Sequence, residues 1–169
     1  FQNVEVLPKP YQQPHPPVWI ASSSEDSIEW AATRGYTAML GPHGEFEKVA
    51  KMRNFFLEKL KANGFSAEGR DIPMARLIAV ADTDSEAEQI ARRGAEWIVR
   101  AYKNESKGMA NPVKTVEVDG KIQEVDDIDR YLQEAIIWGT PERVIDLMHR
   151  LEEEMYLDYL MCAPLSHSS

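Results

Sequence analysis

The chain has 169 residues, is 43% hydrophobic and carries a formal net charge of −9. That length and apolar content can bury one sizeable core, while the acidic balance, with no Lys/Arg cluster, disfavours nucleic acid and anionic membrane surfaces as partners. The single cysteine, Cys162, excludes an internal disulfide framework and fits a reducing, cytoplasmic compartment, and no stretch approaches the length and apolarity of a membrane span. The chain begins at Phe1, not methionine, so it reads as a piece, and the lack of a signal peptide is uninformative.

Taken in order, residues 1–7 alternate Val4 and Val6 with polar neighbours, as an extended arm or a short edge strand does. Pro14, Pro16 and Pro17 then hold the backbone straight, because each ring fixes φ and each preceding residue is pushed out of the α region. The unbroken apolar run from Val18 to Ala21 predicts a strand covered on both faces, as in a parallel sheet. Ser22, Ser23 and Ser24 follow. The pattern Ser22-x-x-Glu25 suits a capping box for a helix from about Glu25 to Arg34, with Gly35 as its terminator. A second buried strand is expected over Tyr36–Leu40, broken by Gly41-Pro42-His43-Gly44.

The spacing of Phe46, Val49, Met52, Phe56 and Leu60 predicts an amphipathic helix from about Glu45 to Asn63, closed by Gly64. Met74–Ala81 reads as a third strand, unusual in carrying Arg76. A charge in a buried strand needs a partner, either an inward carboxylate or groups on the outer helices. Asp82-Thr83-Asp84-Ser85 caps the next helix, with Ser85-x-x-Glu88 as a second capping box. Its core stripe is Ala87, Ile90, Ala91, Trp97, Ile98 and Tyr102. Residues 103–127 break this rhythm. Within them Asp119-Gly120, between two alternating arms, is a strong hairpin signal, and an insertion this long is either a lid or a plain surface excursion. A short helix over Asp129–Ile137 follows. Thr140-Pro141 then starts a helix with an N-cap and a proline at its first position, running to about Glu154. Leu157–Ala163 is a last strand, within which Cys162 reads as a small buried hydrophobe.

The serines are the most informative stretch. A strand ending in hydroxyls at a helix N-terminus leaves free N–H groups, the positive end of the helix dipole and O–H donors at one spot, which suits an anion. Serines also cap helices with no ligand at all. Glu25 and Asp26 favour the dipole but repel a phosphate, so both readings stay open on pattern alone. Among the histidines, His43 follows a strand and sits where a parallel barrel builds its site, and His167 is a weaker case of the same kind. His15 precedes a strand and His149 lies mid-helix, which makes both structural. No His/Cys/Asp spacing suggests a metal.

The run PHPPVWIASSSEDSIEWAATRGY from Pro14 to Tyr36, with its PKP lead-in at Pro8, resembles the luciferase-like monooxygenases, the flavin-dependent family that includes bacterial luciferase. ARLIAVADTDSEA at 75 to 87 and GTPERVIDLM at 139 to 148 extend the resemblance in the order and spacing of the second half of that family's barrel. The resemblance implies an α/β chain forming the C-terminal half, about strands 5–8, of a (β/α)8 TIM barrel, whose whole needs roughly 250 residues. It implies that Ser24 and Ser27 match hydroxyls contacting the flavin phosphate, that Ser23 matches a neighbouring position that is acidic in bacterial luciferase, and that residues 103–127 cover the flavin. Gly41, Pro42 and His43 would line the ring or the substrate. In such chemistry reduced FMN, supplied by a separate flavin reductase, reacts with dioxygen and one oxygen atom enters a small organic substrate. An oxidoreductase using the deazaflavin F420 and a non-catalytic partner subunit are the alternatives the same resemblance leaves open. The full-length protein is expected to be a homo-oligomer.

Overall fold

The computed structural model describes residues 4–5, 7–105, 115–118, 121–124, 126–155 and 159–166. Seven strands and five helices follow one another: β1 (Trp19–Ser22), α1 (Glu25–Ala32), β2 (Thr37–Leu40), α2 (Phe46–Ala62), β3 (Pro73–Val80), α3 (Asp84–Glu105), β4 (Thr115–Val118), β5 (Lys121–Glu124), α4 (Asp127–Glu134), β6 (Ile136–Gly139), α5 (Pro141–Met155) and β7 (Tyr159–Pro164). β4 and β5 pair antiparallel, as the Asp119-Gly120 signal predicts, although those two residues and 106–114 lie outside the described residues. The other five strands form one parallel sheet, so the chain is an α/β fold.

β3 is the hub of that sheet. At Met74 it is paired with both Leu40 of β2 and Leu160 of β7, which therefore occupy opposite edges. The Leu165 N–H donates to the Ile78 carbonyl (2.8 Å), whereas the Ala81 N–H donates to the Gly139 carbonyl (3.3 Å). Residues of opposite parity point their peptide groups to opposite edges of a parallel strand, so β6 continues along the β2 edge, in register with Leu77–Val80. β1 completes the sheet by pairing with β2 from Trp19↔Thr37 to Ser22↔Leu40.

The faces of β3 are used as fully as its edges. Met74 and Ile78 point into a core with Ile28 of α1, Val49, Phe56 and Leu60 of α2, and Val144 and Leu151 of α5. Leu77 and Ala79 point the other way, into a second core with Ile90, Ala91, Ala95 and Ile98 of α3 and Leu132 of α4. α3 therefore packs on the face opposite α1, α2 and α5. Gly94 allows a close approach there, since a Cβ at that position would lie 2.6 Å from the Leu165 side chain.

Several expectations are corrected. The helix expected over Asp129–Ile137 ends at Glu134 and its last residues join β6. Ile136 and Ile137 are both buried, but in different cores, an alternation that belongs to a strand and that their β-branched side chains favour. Trp97 is 71% exposed and leaves the α3 core to Ala87, Ile90, Ala91 and Ile98; the Tyr102 side chain lies outside the described residues. β1 is covered on one face only, with Trp19 and Ala21 exposed, because it is an edge strand of the described sheet. Cys162 is exposed for the same reason on β7. No strand forms among the described residues before Trp19, and residues 1–3, 6 and 167–169, including His167, lie outside them. Among the described residues no helix is long and apolar enough to cross a membrane.

The caps also shift. Thr83, not Ser85, caps α3: its hydroxyl accepts from the Glu86 N–H (3.2 Å) and donates to the Glu86 carboxylate (3.1 Å). Asp84 faces the start of α5, where Oδ1 accepts from the Thr140 N–H (3.1 Å) and Oδ2 from Arg143 (3.0 Å). The Arg143 guanidinium lies 4.2 Å over the Trp138 ring. Gly139 has φ of +144° and a Cβ there would meet Arg143 at 2.6 Å, so this junction requires glycine.

The Thr140 N–H and the Arg143 guanidinium hold the Asp84 carboxyl below its ordinary range. A depressed folded-state value contributes stability above the unfolded value and loses it as pH falls through the folded one. Asp84→Asn is accordingly expected to lower the urea midpoint at pH 7. The gap from the native protein should close as pH is lowered through the carboxylate range, and a pH series of urea titrations checks this.

Candidate flavin site at the C-terminal rim of the sheet

The register Ser22↔Leu40 puts the β1–α1 and β2–α2 connections side by side, since both leave adjacent parallel strands at their C-terminal ends. Ser23 and Ser24 thus share one rim of the sheet with Gly41, Pro42 and His43. The chain after β3, at Ala81–Thr83, leaves at the same end.

At the first connection the N-cap is Ser24, not Ser22. The Ser22 hydroxyl is buried and donates to the Ile20 carbonyl (3.1 Å), which removes it from the helix. Ser24 and Ser27 form a reciprocal box: the Ser24 hydroxyl accepts from the Ser27 N–H (3.4 Å), and the Ser27 hydroxyl accepts from the Ser24 N–H (3.4 Å) and donates to the Ser24 carbonyl (2.9 Å). The Ser24 hydroxyl also donates to that of Ser27 (3.1 Å). Ser23 and Ser24 are exposed and Ser27 is partly so. Their exposure leaves the hydroxyls open to solvent, and hydroxyls with first-turn N–H groups at a helix start are a donor set able to hold an anion. Glu25 and Asp26 stand in the same turn and oppose it.

The second connection is held from below and above. Arg76 of β3, 0% exposed, donates from Nη1 to the Gly44 carbonyl (2.7 Å) and towards that of Pro42 (3.4 Å), and its guanidinium lies 4.7 Å from the Phe46 ring centre. Of the two alternatives the sequence left open for Arg76, an inward carboxylate or the helix-covered side, the structure shows the second, with Phe46 of α2 over the guanidinium and loop carbonyls as its hydrogen-bond acceptors. From α4, the Tyr131 ring lies tilted beside His43 with ring centres 6.2 Å apart, and Arg130 approaches Glu45 (3.9 Å). No pattern in the sequence announced these α4 residues, because the contact joins elements more than eighty positions apart. His43 is at the surface of its loop, yet burial and then the nearby positive charge of Arg76 lower its pKa from the ordinary histidine value, which keeps the imidazole neutral at pH 7. His15 and His149 sit elsewhere, His15 against the Pro16 carbonyl and His149 beside Glu152. No group of three or more potential metal ligands gathers among the described residues.

The sequence model of the family described as luciferase-like monooxygenase matches residues 1–158. The chain belongs to that family. Among its relatives, the oxygenase component of the flavin-dependent trigonelline monooxygenase of Acinetobacter baylyi is 27% identical over 173 residues, a match spanning 94% of this chain and 45% of that one. The crystal structure of the monooxygenase RslO1 from Streptomyces bottropensis superimposes with a TM-score of 0.68 at 25% identity, over 96% of this chain and 44% of RslO1. The oxygenating constituent of 3,6-diketocamphane monooxygenase from Pseudomonas putida, solved with FMN, shares the fold with a TM-score of 0.64 at 15% identity, over 90% and 43% of the two chains. This luciferase-like chain thus spans less than half the length of each.

Ser24 is the structural cap of α1 whatever it binds. Ser24→Ala should cost about 1 kcal/mol of unfolding free energy, whereas exposed Ser23→Ala should stay within about 0.5 kcal/mol. Urea denaturation of the two variants compares them directly.

Proposed function

We propose that this chain is the phosphate-binding half, strands five to eight, of a (β/α)8 monooxygenase that uses reduced FMN and dioxygen to oxygenate a small organic substrate. The observation that carries the reading is the Ser23-Ser24-x-x-Ser27 junction, where hydroxyls and the α1 N-terminus meet at the same rim as the Gly41–Gly44 loop. Bound flavin supplies the electrons that activate dioxygen. The residues of this chain bind and orient it. Ser23, Ser24 and Ser27 take the phosphate, exchanging their mutual hydrogen bonds for bonds to its oxygens. Gly41 and Pro42 offer backbone with little side chain, against which a flat ring or a substrate can lie. His43, neutral at pH 7, presents an imidazole able to hold or accept a proton at that border. The segment 103–127, expected to cover the flavin, lies in large part outside the described residues; a flavin reductase and a second copy of the full-length protein are the partners.

Replacing Ser24 and Ser27 together with alanine in the full-length protein should weaken FMN about tenfold or more, because charge-assisted hydrogen bonds to the phosphate are lost. Riboflavin, which lacks the phosphate, should change little. Fluorescence titration with the two ligands reads the difference, and equal losses would reduce the serines to ordinary caps. The same titration with F420 in place of FMN distinguishes the deazaflavin alternative, and a protein that binds none of the three would be a non-catalytic subunit.

A further inference from the structure

We propose that Arg76 is the positioning residue of the Gly41–Gly44 loop, a buried strut rising from the central strand that sets where Pro42 and His43 stand at the rim. The inference rests on the reading that this loop borders the flavin ring.

Its first support is geometric. Arg76 lies on β3, the strand paired on both edges and packed on both faces, and it shares the side of Met74 and Ile78. From that fixed base a single nitrogen, Nη1, reaches two carbonyls of one short loop, those of Pro42 and Gly44. The Phe46 ring, at the first residue of α2, closes over the guanidinium. One side chain therefore ties the end of β2, the loop and the start of α2 to the middle of the sheet. The loop sits close to α2 as well, since a Cβ on Gly44 would lie 2.8 Å from the Val49 side chain.

The second support is energetic. Arg76 is among the largest fully buried side chains, and its Nε and Nη2 have no hydrogen-bond partner among the described residues. A buried unsatisfied donor is destabilising, and apolar residues of similar size in place of buried ionic groups are often neutral or stabilising. Burial pushes the guanidinium pKa down to about 10, so the group remains a cation at pH 7, and its acceptors among the described residues are carbonyls. Stability alone therefore gives no reason for an arginine here. Placement of the loop does, because Nη1, fixed by the packed side chain behind it, reaches two carbonyls of one short loop, and sites held by a packed supporting residue keep their geometry.

The charge has a consequence for the neighbouring imidazole. Among the described residues, the charged groups whose contacts reach the loop include Arg76 from β3, Arg130 and Asp127 from α4, and Glu45 at the start of α2, with Tyr131 of α4 beside the His43 ring. Arg130 is engaged with Glu45 and Asp127, which leaves Arg76 as the cation that opposes protonation of His43.

The test uses the full-length protein with Arg76→Met and Arg76→Lys. Arg76→Met should weaken FMN and riboflavin by the same factor, about tenfold, because the loop faces the ring and not the phosphate; Arg76→Lys should recover most of the binding. His43, followed by NMR, should titrate at higher pH in Arg76→Met and stay low in Arg76→Lys. In the native protein the Arg76 Nε–H should exchange slowly with solvent, a measurement that stands even where a variant does not fold. Unchanged binding of both flavins by folded Arg76→Met overturns the proposal. So does a loss confined to FMN, which makes Arg76 a phosphate ligand, and so does a freely exchanging guanidinium. A native protein that binds neither flavin removes the reading of the site, while the exchange and titration measurements still decide whether Arg76 holds the loop.

Discussion

The pairing of β3 with neighbours on both edges, together with a packed core on each of its faces, is the constraint from which the rest of the arrangement follows. A strand in that position has no solvent side to which a polar side chain can turn. Its odd residues belong to α3 and its even residues to α2 and α5, so a slip of one residue would exchange the two cores. Leu77 and Ala79 on one face and Met74 and Ile78 on the other pin the register, and β2, β6 and β7 take theirs from it. Arg76 is the exception in this apolar ladder. Its position on the most constrained strand is what gives it a fixed base from which to hold a loop.

The rim depends on the same geometry. Parallel strands all end at one edge of the sheet, so the connections that follow them collect there irrespective of their sequence. The serines after β1 and the Gly-Pro-His-Gly loop after β2 are neighbours for this reason. The two connections differ in how they are held. The first is a self-contained capping box, exposed and made within four residues. The second depends on contacts from β3 and α4, far away in the chain.

Local signals in the sequence were legible where the physics is local. The prolines before β1, the stripe of α2, the Thr140-Pro141 start of α5 and the Asp-Gly hairpin all appear where spacing and turn chemistry place them. The cap positions moved by one or two residues, since several serines and threonines compete for each helix start and only packing selects among them. β6 was hidden because Glu134-Ala135-Ile136-Ile137 continues the period of α4; what makes it a strand is the vacant length of β3 beyond the end of β2, a feature no window of sequence contains. The exposure of Trp97, Trp19 and Cys162 was likewise invisible, since apolarity says nothing of whether a neighbour is present. At the candidate site the serine junction could be read directly. The role of Arg76 could be read only as a question.

The clamp of Asp84 on Thr140 and Arg143 joins the two ends of a long excursion, from the beginning of α3 to the beginning of α5. Of the described residues between them, α3 and α4 pack on the face opposite α1, α2 and α5, and β6 returns the chain to the sheet beside β3. With its ends stapled, such an excursion can lengthen at a closure cost of only about 0.6 kcal/mol per doubling. Length can thus be added between α3 and α4 without moving either end of the stretch, because α3 and β6 hold their places through their own packing and pairing on β3.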